Sequence, residues 1–452
     1  MHEVVTIETT GLGDRSYLAH DGTAAVVVDP QRDIDRVRAA ADAAGVTISH
    51  VLETHIHNDY VTGGLALARA AGAAYVVAGS EEVGFDRLAV ADGDEIAAGD
   101  LGVRVMATPG HTPGHLSYVL SDASDGPVAV FTGGSMLFGA VGRTDLISPA
   151  DTEPLTRAQY RSVRRLAAEL PDQVAVYPTH GFGSFCSATP TTGGASTIGT
   201  QRRSNMALTS DEDEFVKGLL AGLTAYPRYY AHMGPANRSG PAAPDLTAPR
   251  RADPAELRRR IDAGEWVVDL RQRRAFAAGH ISGTISVELG DPFATYLGWT
   301  MPWGQPLTLI GDSEDQVADA CRQLVRIGVD QLAAAAAGPT TELADGRMGR
   351  YEVSDFPALA DGWPRAGRVV LDVRRPDEWR AGHLPGAVHI PFWELERRAA
   401  EVPAGEVWVH CASGFRASIG ASLLDRAGRQ VVHVDDDWER AAPSGLPITI
   451  AD

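Results

Sequence analysis

Short apolar runs alternate with amphipathic segments over the first two hundred residues. The run SYLAHDGTAAVVVDP predicts two strands joined at Asp21-Gly22, a dipeptide typical of tight turns. The segment DIDRVRAAADAAG has apolar positions at helical spacing, which predicts an amphipathic helix that ends at Gly45. Three further apolar runs each lead into a polar or Gly/Pro-rich loop: ISHVLETHIHND, VRVMATPGH and VAVFTGG. This alternation predicts a first α/β domain over residues 1–205.

Residues 206–250 differ in character from the segment before them. DEDEFVKGLLAGL predicts one exposed helix, and the stretch after it is rich in Pro, Gly and Ala. This composition predicts a connector with little core of its own. Tyr229, Tyr230 and Met233 are apolar for a free linker, so we expect part of the connector to contact the first domain.

Two segments beyond the connector resemble each other. Both run helix, apolar strand, Asp-x-Arg and then a helix that ends in Ala-Gly-His. The matched positions are Asp269/Arg271/Gly279/His280/Gly283 and Asp372/Arg374/Gly382/His383/Gly386. A repeat of about 100 residues is far longer than a solenoid period, so it predicts two tandem domains. We expect them at residues 251–345 and 350–452, each an α/β domain with a small parallel sheet.

Charge and cysteine content narrow the function classes. The 452 residues include 40 basic and 59 acidic side chains, a net charge of −19. Proteins that bind nucleic acid or anionic membranes present a basic face to them. This chain is acidic, so neither is an expected partner. The N-terminus has no targeting pattern, and no apolar run approaches the roughly 20 residues of a membrane helix. Three cysteines are too few for a disulfide scaffold, which predicts a reducing, cytoplasmic location.

Histidines recur at the ends of apolar runs in the first domain. His55, His57 and Asp59 form an HxHxD pattern directly after a predicted strand, and His111 and His180 follow two later strands. Imidazoles and a carboxylate that converge on one point suit a divalent metal of borderline softness. The pattern therefore predicts a metal site made by these five residues.

A cysteine follows an apolar strand in the last domain. Cys411 opens a loop that ends at Arg416, and ASIGASLLDRAG after it predicts a helix. A thiol between a strand end and a helix N-terminus faces free backbone N–H groups, which favour the thiolate. Gly414 allows the loop to curl, and Arg416 adds a cation. These features predict a nucleophilic cysteine within an anion cradle, whose walls are Ala412, Ser413, Gly414 and Phe415.

The middle copy of the repeat lacks this loop chemistry. IGDSED stands where the cradle belongs, without a cysteine and with acidic side chains that would repel an anion. Cys321 lies further along in a predicted helix and is expected in the core, while Cys186 has no assigned role. We expect the middle domain to be inactive, with a structural or docking role.

The histidine motifs carry a family resemblance. THIHND, TPGHTPGH, FTGG, GRTD and YPTHG, in this order and spacing, resemble the metallo-β-lactamase fold, an αββα sandwich of two facing sheets flanked by helices. GRTD and STIGTQRRSN resemble its glyoxalase-II-like branch, which includes persulfide dioxygenases. The resemblance implies one iron bound by two histidines and an aspartate, with His55 and His111 as the histidines.

Two positions depart from that pattern. Gly134 stands where the aspartate ligand belongs, and Tyr60 stands where the complete HxHxDH motif has another histidine. Three alternatives follow for the cofactor. Water fills the vacant position of one Fe(II), or His55, His57 and His111 hold one zinc, or the domain is a metal-free scaffold.

The last domain is similar to rhodaneses, through DVRRPDEWRAGHLPGAVHIP, the six-residue loop from Cys411 to Arg416, and SGLP. This resemblance implies that Cys411 carries a sulfane sulfur as a persulfide. Related phosphatases have a loop one residue longer, so the loop favours sulfur transfer over phosphoryl transfer. Asp372 and Arg374 match fold-signature positions and are expected to brace the domain.

The domain order resembles bacterial persulfide dioxygenase–rhodanese fusion proteins of sulfide detoxification. It implies iron-dependent oxidation of a small thiol persulfide, coupled to sulfur transfer among persulfide, sulfite and thiosulfate. One alternative is a zinc-dependent thioester hydrolase, similar to glyoxalase II, fused to a sulfurtransferase. Another is a non-enzymatic sulfur carrier on an impaired metal domain. The thiol carrier and the oligomeric state, a homo-oligomer included, stay open.

Overall fold

The computed structural model describes residues 2–122, 126–187 and 193–450. The chain divides into two units. The first unit comprises Met1–Pro244 with Val325–Gly328, and the second comprises Asp245–Leu324 with Val329–Asp452.

Two β-sheets face each other in the first unit. The first sheet has the order β1-β2-β3-β4-β5-β6 and the second the order β11-β10-β9-β8-β7. The strands of the first sheet are β1 Glu3–Thr9, β2 Asp14–His20, β3 Ala24–Val28, β4 Thr47–Leu52, β5 Ala74–Ala78 and β6 Leu88–Val90. Those of the second are β7 Glu95–Ala98, β8 Leu101–Ala107, β9 Leu116–Asp122, β10 Gly126–Gly133 and β11 Ala175–Pro178.

Helices lie on the outer sides of the sheets: α1 Asp35–Ala44, α2 Gly64–Ala71, α3 Thr152–Glu169, α4 Ile198–Ser204, α5 Met206–Thr209 and α6 Glu212–Gly222. The helix α7 Tyr230–Ser239 contacts the loop after β4, where Asn237 donates to the carbonyls of His57 and Tyr60. Side chains of β3 alternate between two cores: Val26 and Val28 lie between the sheets, whereas Val27 packs with α1 and α2. This period of two is why a continuous apolar run is buried on both faces. The predicted αββα sandwich is confirmed.

The predicted hairpin and first helix are also confirmed. β2 and β3 pair antiparallel across a turn in which Gly22 has φ +98°. α1 ends at Gly45, whose left-handed conformation lets its N–H donate to the carbonyls of Ala41 and Asp42.

The helix expected to be exposed after residue 205 is half-buried. Phe215, Val216 and Leu219 of α6 join α3 in one apolar cluster, because they recur at helical spacing on a single face. Tyr229, Tyr230 and Met233 are buried as well, and the first unit extends to Pro244.

The second unit contains both copies of the repeat. The middle copy has strands β12 Trp266–Asp269, β13 His280–Ile281, β14 Ile285–Ser286, β15 Leu307–Gly311, β16 Ala334–Ala337 and β17 Met348–Gly349. Its helices are α8 Pro254–Asp262, α9 Arg273–Ala278, α10 Phe293–Thr300, α11 Glu314–Arg326 and α12 Thr340–Leu343. A four-stranded parallel sheet has the order β14-β12-β15-β16, and β13 pairs with β17.

The last copy has a five-stranded parallel sheet of order β18-β22-β21-β19-β20. Its strands are β18 Glu352–Ser354, β19 Arg368–Asp372, β20 Val388–His389, β21 Glu406–His410 and β22 Val431–Val434. Its helices are α13 Phe356–Ala360, α14 Pro376–Ala381, α15 Leu395–Arg398 and α16 Phe415–Arg426, with single 3₁₀ turns at Phe392–Glu394, Ala399–Glu401 and Trp438–Arg440. Both small parallel sheets agree with the prediction.

The repeated Asp-x-Arg braces each copy in the same way. Arg374 forms a bidentate ion pair with Asp372, at 2.6 Å for the closest contact, and donates to the Gly382 carbonyl at 2.7 Å. Arg271 contacts Asp269 and the Gly279 carbonyl at 2.7 and 3.0 Å. The structural role expected for Asp372 and Arg374 is therefore confirmed.

Cys321 lies on α11 as predicted, but its side chain is only partly buried, so its expected place in the core is wrong. The helix presents this position at the border of its apolar face. Across residues 2–122, 126–187 and 193–450, no helix combines the length and the apolar character that crossing a membrane requires.

Candidate functional site

Four histidine rings meet where strands of the first unit end. His55 and His57 follow β4, His111 follows β8 and His180 follows β11, and all four side chains are buried. The ring centroid of His55 lies 4.1 Å from that of His57, 4.8 Å from that of His111 and 5.2 Å from that of His180. The structure thus brings the predicted histidines together.

Three of these rings are oriented by hydrogen bonds on one nitrogen. The Nδ1 partners are Thr54 Oγ1 for His55 at 2.9 Å, the Arg143 carbonyl for His111 at 2.7 Å and Asp14 Oδ1 for His180 at 2.8 Å. Nε2 is the nitrogen left to face the centre, where His55 Nε2 and His180 Nε2 are 3.3 Å apart. Metal-binding histidines are held in this manner, because an outer partner on one nitrogen directs the other toward the ion.

Asp29 at the end of β3 ties two of the loops together. Its carboxylate accepts hydrogen bonds from the Thr54 backbone N–H and hydroxyl, both at 2.7 Å, and from the Thr179 hydroxyl. Burial favours the protonated acid, but His57 and these hydrogen bonds outweigh it, so the pKa of Asp29 is lowered. Asp29 therefore positions the residues next to His55 and His180.

His57 differs from its neighbours because acidic groups hold its Nε2. That atom lies 3.0 Å from the Tyr60 hydroxyl and 3.3 Å from carboxylate oxygens of both Asp29 and Glu53. Burial alone would lower the pKa of His57, but the two carboxylates raise it to about 9. Tyr60, which stands where the complete motif has a histidine, thus contacts His57 and is not placed as a metal ligand.

Protonation distinguishes the remaining rings. Burial lowers the pKa of His111 to about 3 and that of His55 well below its ordinary value, so both rings are neutral. For His180, Asp59 and Asp14 outweigh burial and raise the pKa. Asp59 Oδ2 lies 3.2 Å from His180 Nδ1, so the predicted aspartate does reach the cluster.

The donor atoms fit a divalent metal. His55, His57 and His180 form one group with ligand atoms within 4.8 Å of one another, and His111, His180 and Cys186 form a second. Imidazole nitrogens with a nearby carboxylate or thiol are donors typical of zinc and iron. His57 groups with His180 here, whereas the zinc alternative expected His55, His57 and His111 together.

Gly134 stands where the iron pattern has its aspartate ligand, so this position provides no carboxylate. Its N–H donates to His115 Nε2 at 3.0 Å, and a Cβ placed on it would lie 2.3 Å from His111 Cδ2. Because the His111 ring fills this space, position 134 supplies no carboxylate and has no room for one. The residues fit a metal, but not through an aspartate at this position.

Cys411 opens the loop between β21 and α16 in the second unit, and it is buried. Gly414, at φ +83°, turns the chain into the helix, as its glycine predicted. Contacts behind the loop set its course: Trp438 N–H donates to the Ala412 carbonyl at 2.8 Å, and His433 Nε2 lies 2.9 Å from the Gly414 carbonyl. The loop residues Ala412, Ser413, Gly414 and Phe415 thus lead from the sheet edge to the helix N-terminus.

Arg416 lies in the first turn of α16, but a carboxylate shares its charge. Its guanidinium forms a bidentate ion pair with Glu378 at 2.6 and 2.8 Å. Burial favours protonation of Glu378, yet Arg416 outweighs it and lowers the pKa of the acid. The expected cation is present, and α14 supplies a partner for it that the sequence pattern did not reveal.

The middle copy contributes aromatic side chains beside the Cys411 loop. The Tyr296 ring lies 5.4 Å from that of Phe415 and 5.3 Å from that of Phe392. Arg273 of the middle copy donates to Asp435 at 2.7 Å, and Asp435 contacts Gly414. These contacts support the docking role expected for the degenerate copy.

Several site residues were missed by the sequence reasoning. They are Asp14, Asp29, Glu53, Glu378 and Tyr296. Asp29 had a usable signal, since it ends the apolar run VVVD, and Glu53 precedes His57 by four residues. The other three, Asp14, Glu378 and Tyr296, contact residues far away in sequence.

Comparisons with known proteins follow the same division of the chain. The family model for the metallo-β-lactamase superfamily matches residues 10–180, and that for rhodanese-like domains matches residues 253–338 and 357–442. The mitochondrial persulfide dioxygenase ETHE1 of Homo sapiens is 31% identical over 212 residues, which cover 46% of this chain and 73% of that protein.

Two further similarities involve other members of these families. A hydroxyacylglutathione hydrolase of Brucella anthropi is 37% identical over 169 residues, which cover 36% of this chain and 60% of that protein. The crystal structure of a metallo-β-lactamase from Staphylococcus aureus subsp. aureus COL has a TM-score of 0.67 and 28% identity, over 75% of this chain and 99% of that one.

We expect Gly134→Ala to destabilise the first unit by about 1–3 kcal/mol, because the added Cβ overlaps the buried His111 ring. Hydrogen exchange of peptides from β8 to β11 measures this. The matched control is Gly102→Ala, where the nearest atom is 3.9 Å away and the change stays within about 0.5 kcal/mol. Equal protection in both variants would contradict the close packing of His111 on Gly134.

Proposed function

Because the chain belongs to the metallo-β-lactamase superfamily and carries two rhodanese-like domains, we propose that it transfers sulfane sulfur through Cys411. The observation that carries this proposal is the position of Cys411, which directly follows a strand and opens the short loop that leads into the N-terminal turn of a 12-residue helix. Backbone N–H groups there are free to bind an anion. We assign the transfer to residues 350–452, with residues 251–345 as a docking domain and residues 1–205 as the metal domain.

The transfer begins with attack of the Cys411 thiolate on the outer sulfur of thiosulfate or of a small thiol persulfide. A new S–S bond forms at Cys411, the donor's S–S bond breaks, and sulfite or a thiolate leaves with the electron pair. The loop amides and Arg416 hold the negative charge of the resulting persulfide. An acceptor such as sulfite, cyanide or a small thiol then removes the outer sulfur and regenerates the thiolate.

We expect Cys411→Ser to abolish thiosulfate:cyanide sulfur transfer, since the alkoxide of serine is not formed at neutral pH. Thiocyanate release measures the activity, and a stoichiometric persulfide on the wild-type protein is detected by mass spectrometry. Cys321→Ser, in the partly buried cysteine of α11, is the matched control and should retain the activity. Transfer that persists in Cys411→Ser would refute the proposal.

Arg416→Ala should lower kcat/KM for thiosulfate about 10–150-fold, the effect of losing a hydrogen bond to a charged group. It also leaves Glu378 without its partner next to an anionic substrate. Glu378→Gln is the paired variant: it keeps Arg416 and frees its charge, so kcat/KM should be equal or higher. An equal loss in both variants would mean that the ion pair supports the fold and does not bind the anion.

We propose as a second function that the first unit oxidises a small thiol persulfide when iron is bound. The similarity to a persulfide dioxygenase supports it, as do the buried histidines directed by outer hydrogen bonds. Bound iron would supply the oxygen chemistry. Within this chain His55, His111 and His180 would hold the ion, and Asp14 and the Arg143 carbonyl would orient the rings.

The rival for this unit is hydrolysis of a thioester, which the similarity to a hydroxyacylglutathione hydrolase supports. We expect protein loaded with Fe(II) without oxygen to consume oxygen on addition of glutathione persulfide, and to leave S-lactoylglutathione intact. Thioester cleavage by zinc-loaded protein without oxygen uptake would favour the rival. A His111→Ala variant is the control for both activities, because a metal-dependent reaction should be lost in it. Cytoplasmic location and oligomeric state stay predictions from the sequence.

A further inference from the structure

We infer that Cys186 supplies the anionic metal ligand that position 134 does not, in a thiolate site completed by His111 and His180. The inference concerns metal binding in the first unit, so it goes beyond the proposed sulfur transfer and does not depend on it. Three independent features of the described residues carry it: the placement of the thiol, the orientation of the two rings, and the closed space at Gly134.

Cys186 is buried on the loop that follows β11, shortly after His180. Its carbonyl accepts from the Arg143 N–H at 2.8 Å, and its N–H donates to Ser184 Oγ at 3.1 Å. These contacts hold the Cys186 backbone beside that of Arg143. Its sulfur, His111 and His180 offer three donor atoms that lie within 4.8 Å of one another.

The His111 ring points a free nitrogen into this group. Its Nδ1 is bound to the Arg143 carbonyl, and its Nε2 is buried with no hydrogen-bond partner in the described part of the chain. A buried polar atom without a partner costs about 1–3 kcal/mol, so it calls for an ion or a water at that point. Arg143 contacts both His111 and Cys186 through its backbone, which couples the two ligands.

The His180 ring is oriented like that of His111, with one nitrogen held from outside and the other facing the centre. Asp14 holds its Nδ1 at 2.8 Å, and its Nε2 is directed to the centre, 3.3 Å from His55 Nε2. A carboxylate on the outer nitrogen strengthens a histidine as a ligand. The set is then two imidazoles and one sulfur, with His55 adjacent as a fourth donor.

Position 134, where the iron pattern places its aspartate ligand, cannot supply negative charge in this chain. A Cβ at position 134 would overlap His111, so a carboxylate there would displace the very ring that it should assist. A divalent ion bound by imidazole nitrogens still favours an anionic ligand. On binding, the Cys186 S–H gives up its proton to solvent and a metal–sulfur bond forms, with no change of oxidation state. Zinc, which binds both thiolate and imidazole, is therefore a suitable probe ion for this set.

X-ray absorption of the zinc-loaded full chain tests the inference directly. The sample is the Cys321→Ser/Cys411→Ser double variant, in which Cys186 is the one remaining thiol. We expect one sulfur neighbour at about 2.3 Å with nitrogen neighbours at about 2.0–2.1 Å. Zinc surrounded by nitrogen and oxygen alone, or a protein that binds no zinc, would overturn the inference.

Cobalt substitution gives a second readout. Co(II) bound to the same double variant should show thiolate-to-cobalt charge-transfer absorption in the near ultraviolet. Adding Cys186→Ser should remove that band and weaken metal affinity at least about 100-fold, beyond the cost of an outer-sphere change. An unchanged band or unchanged affinity would count against a Cys186 ligand. Hydrogen exchange of peptides from β8 to β11 is measured in the single Cys186→Ser protein, and retained protection shows that the first unit is folded.

Discussion

The buried carboxylate of Asp29 organises the histidine cluster. It ends a strand with both faces buried, and its two oxygens accept hydrogen bonds from Thr54 and Thr179, which directly precede His55 and His180. Both loops are therefore set relative to one anion at the sheet edge. A carboxylate buried so far from solvent is stable only while hydrogen-bond donors reach both of its oxygens, so the two loops are held rigidly. The histidine rings on these loops are therefore held in position before a metal binds.

Position 134 shows how packing and chemistry exclude each other at this centre. The glycine allows His111 to lie against the backbone, where its Nδ1 reaches the Arg143 carbonyl. A carboxylate would require another position for the ring. Negative charge must then come from elsewhere: Asp59, on the loop after β4, and Cys186, on the loop after β11, both lie close to His180. The candidates for an anionic ligand therefore lie on these two loops and not at the end of β10.

The two copies in the second unit share the same fold, but only one of them has a reactive cysteine. Arg271 and Arg374 close the same contacts to an aspartate and to a glycine carbonyl in both copies, so both keep a parallel sheet with its loops at one edge. One copy has a cysteine in the following loop. The middle copy instead contacts the last copy through Tyr296 and Arg273. The Tyr296 ring packs near Phe415, and Arg273 forms an ion pair with Asp435 beside the cysteine loop. The copy without a nucleophile therefore still packs against the cysteine loop of the other copy.

Local chemistry was readable from the chain alone. The HxHxD run, the loop from Cys411 to Arg416 and the duplicated Asp-x-Arg each occupy a few neighbouring residues, and periodicity placed them at strand ends. The tertiary structure decided which groups share a charge. Glu378 neutralises Arg416, Asp29 and Glu53 hold His57, and the His111 ring leaves no space at Gly134. Most of these pairings join residues distant in sequence, and burial rather than spacing sets their strength, so patterns along the chain do not reveal them.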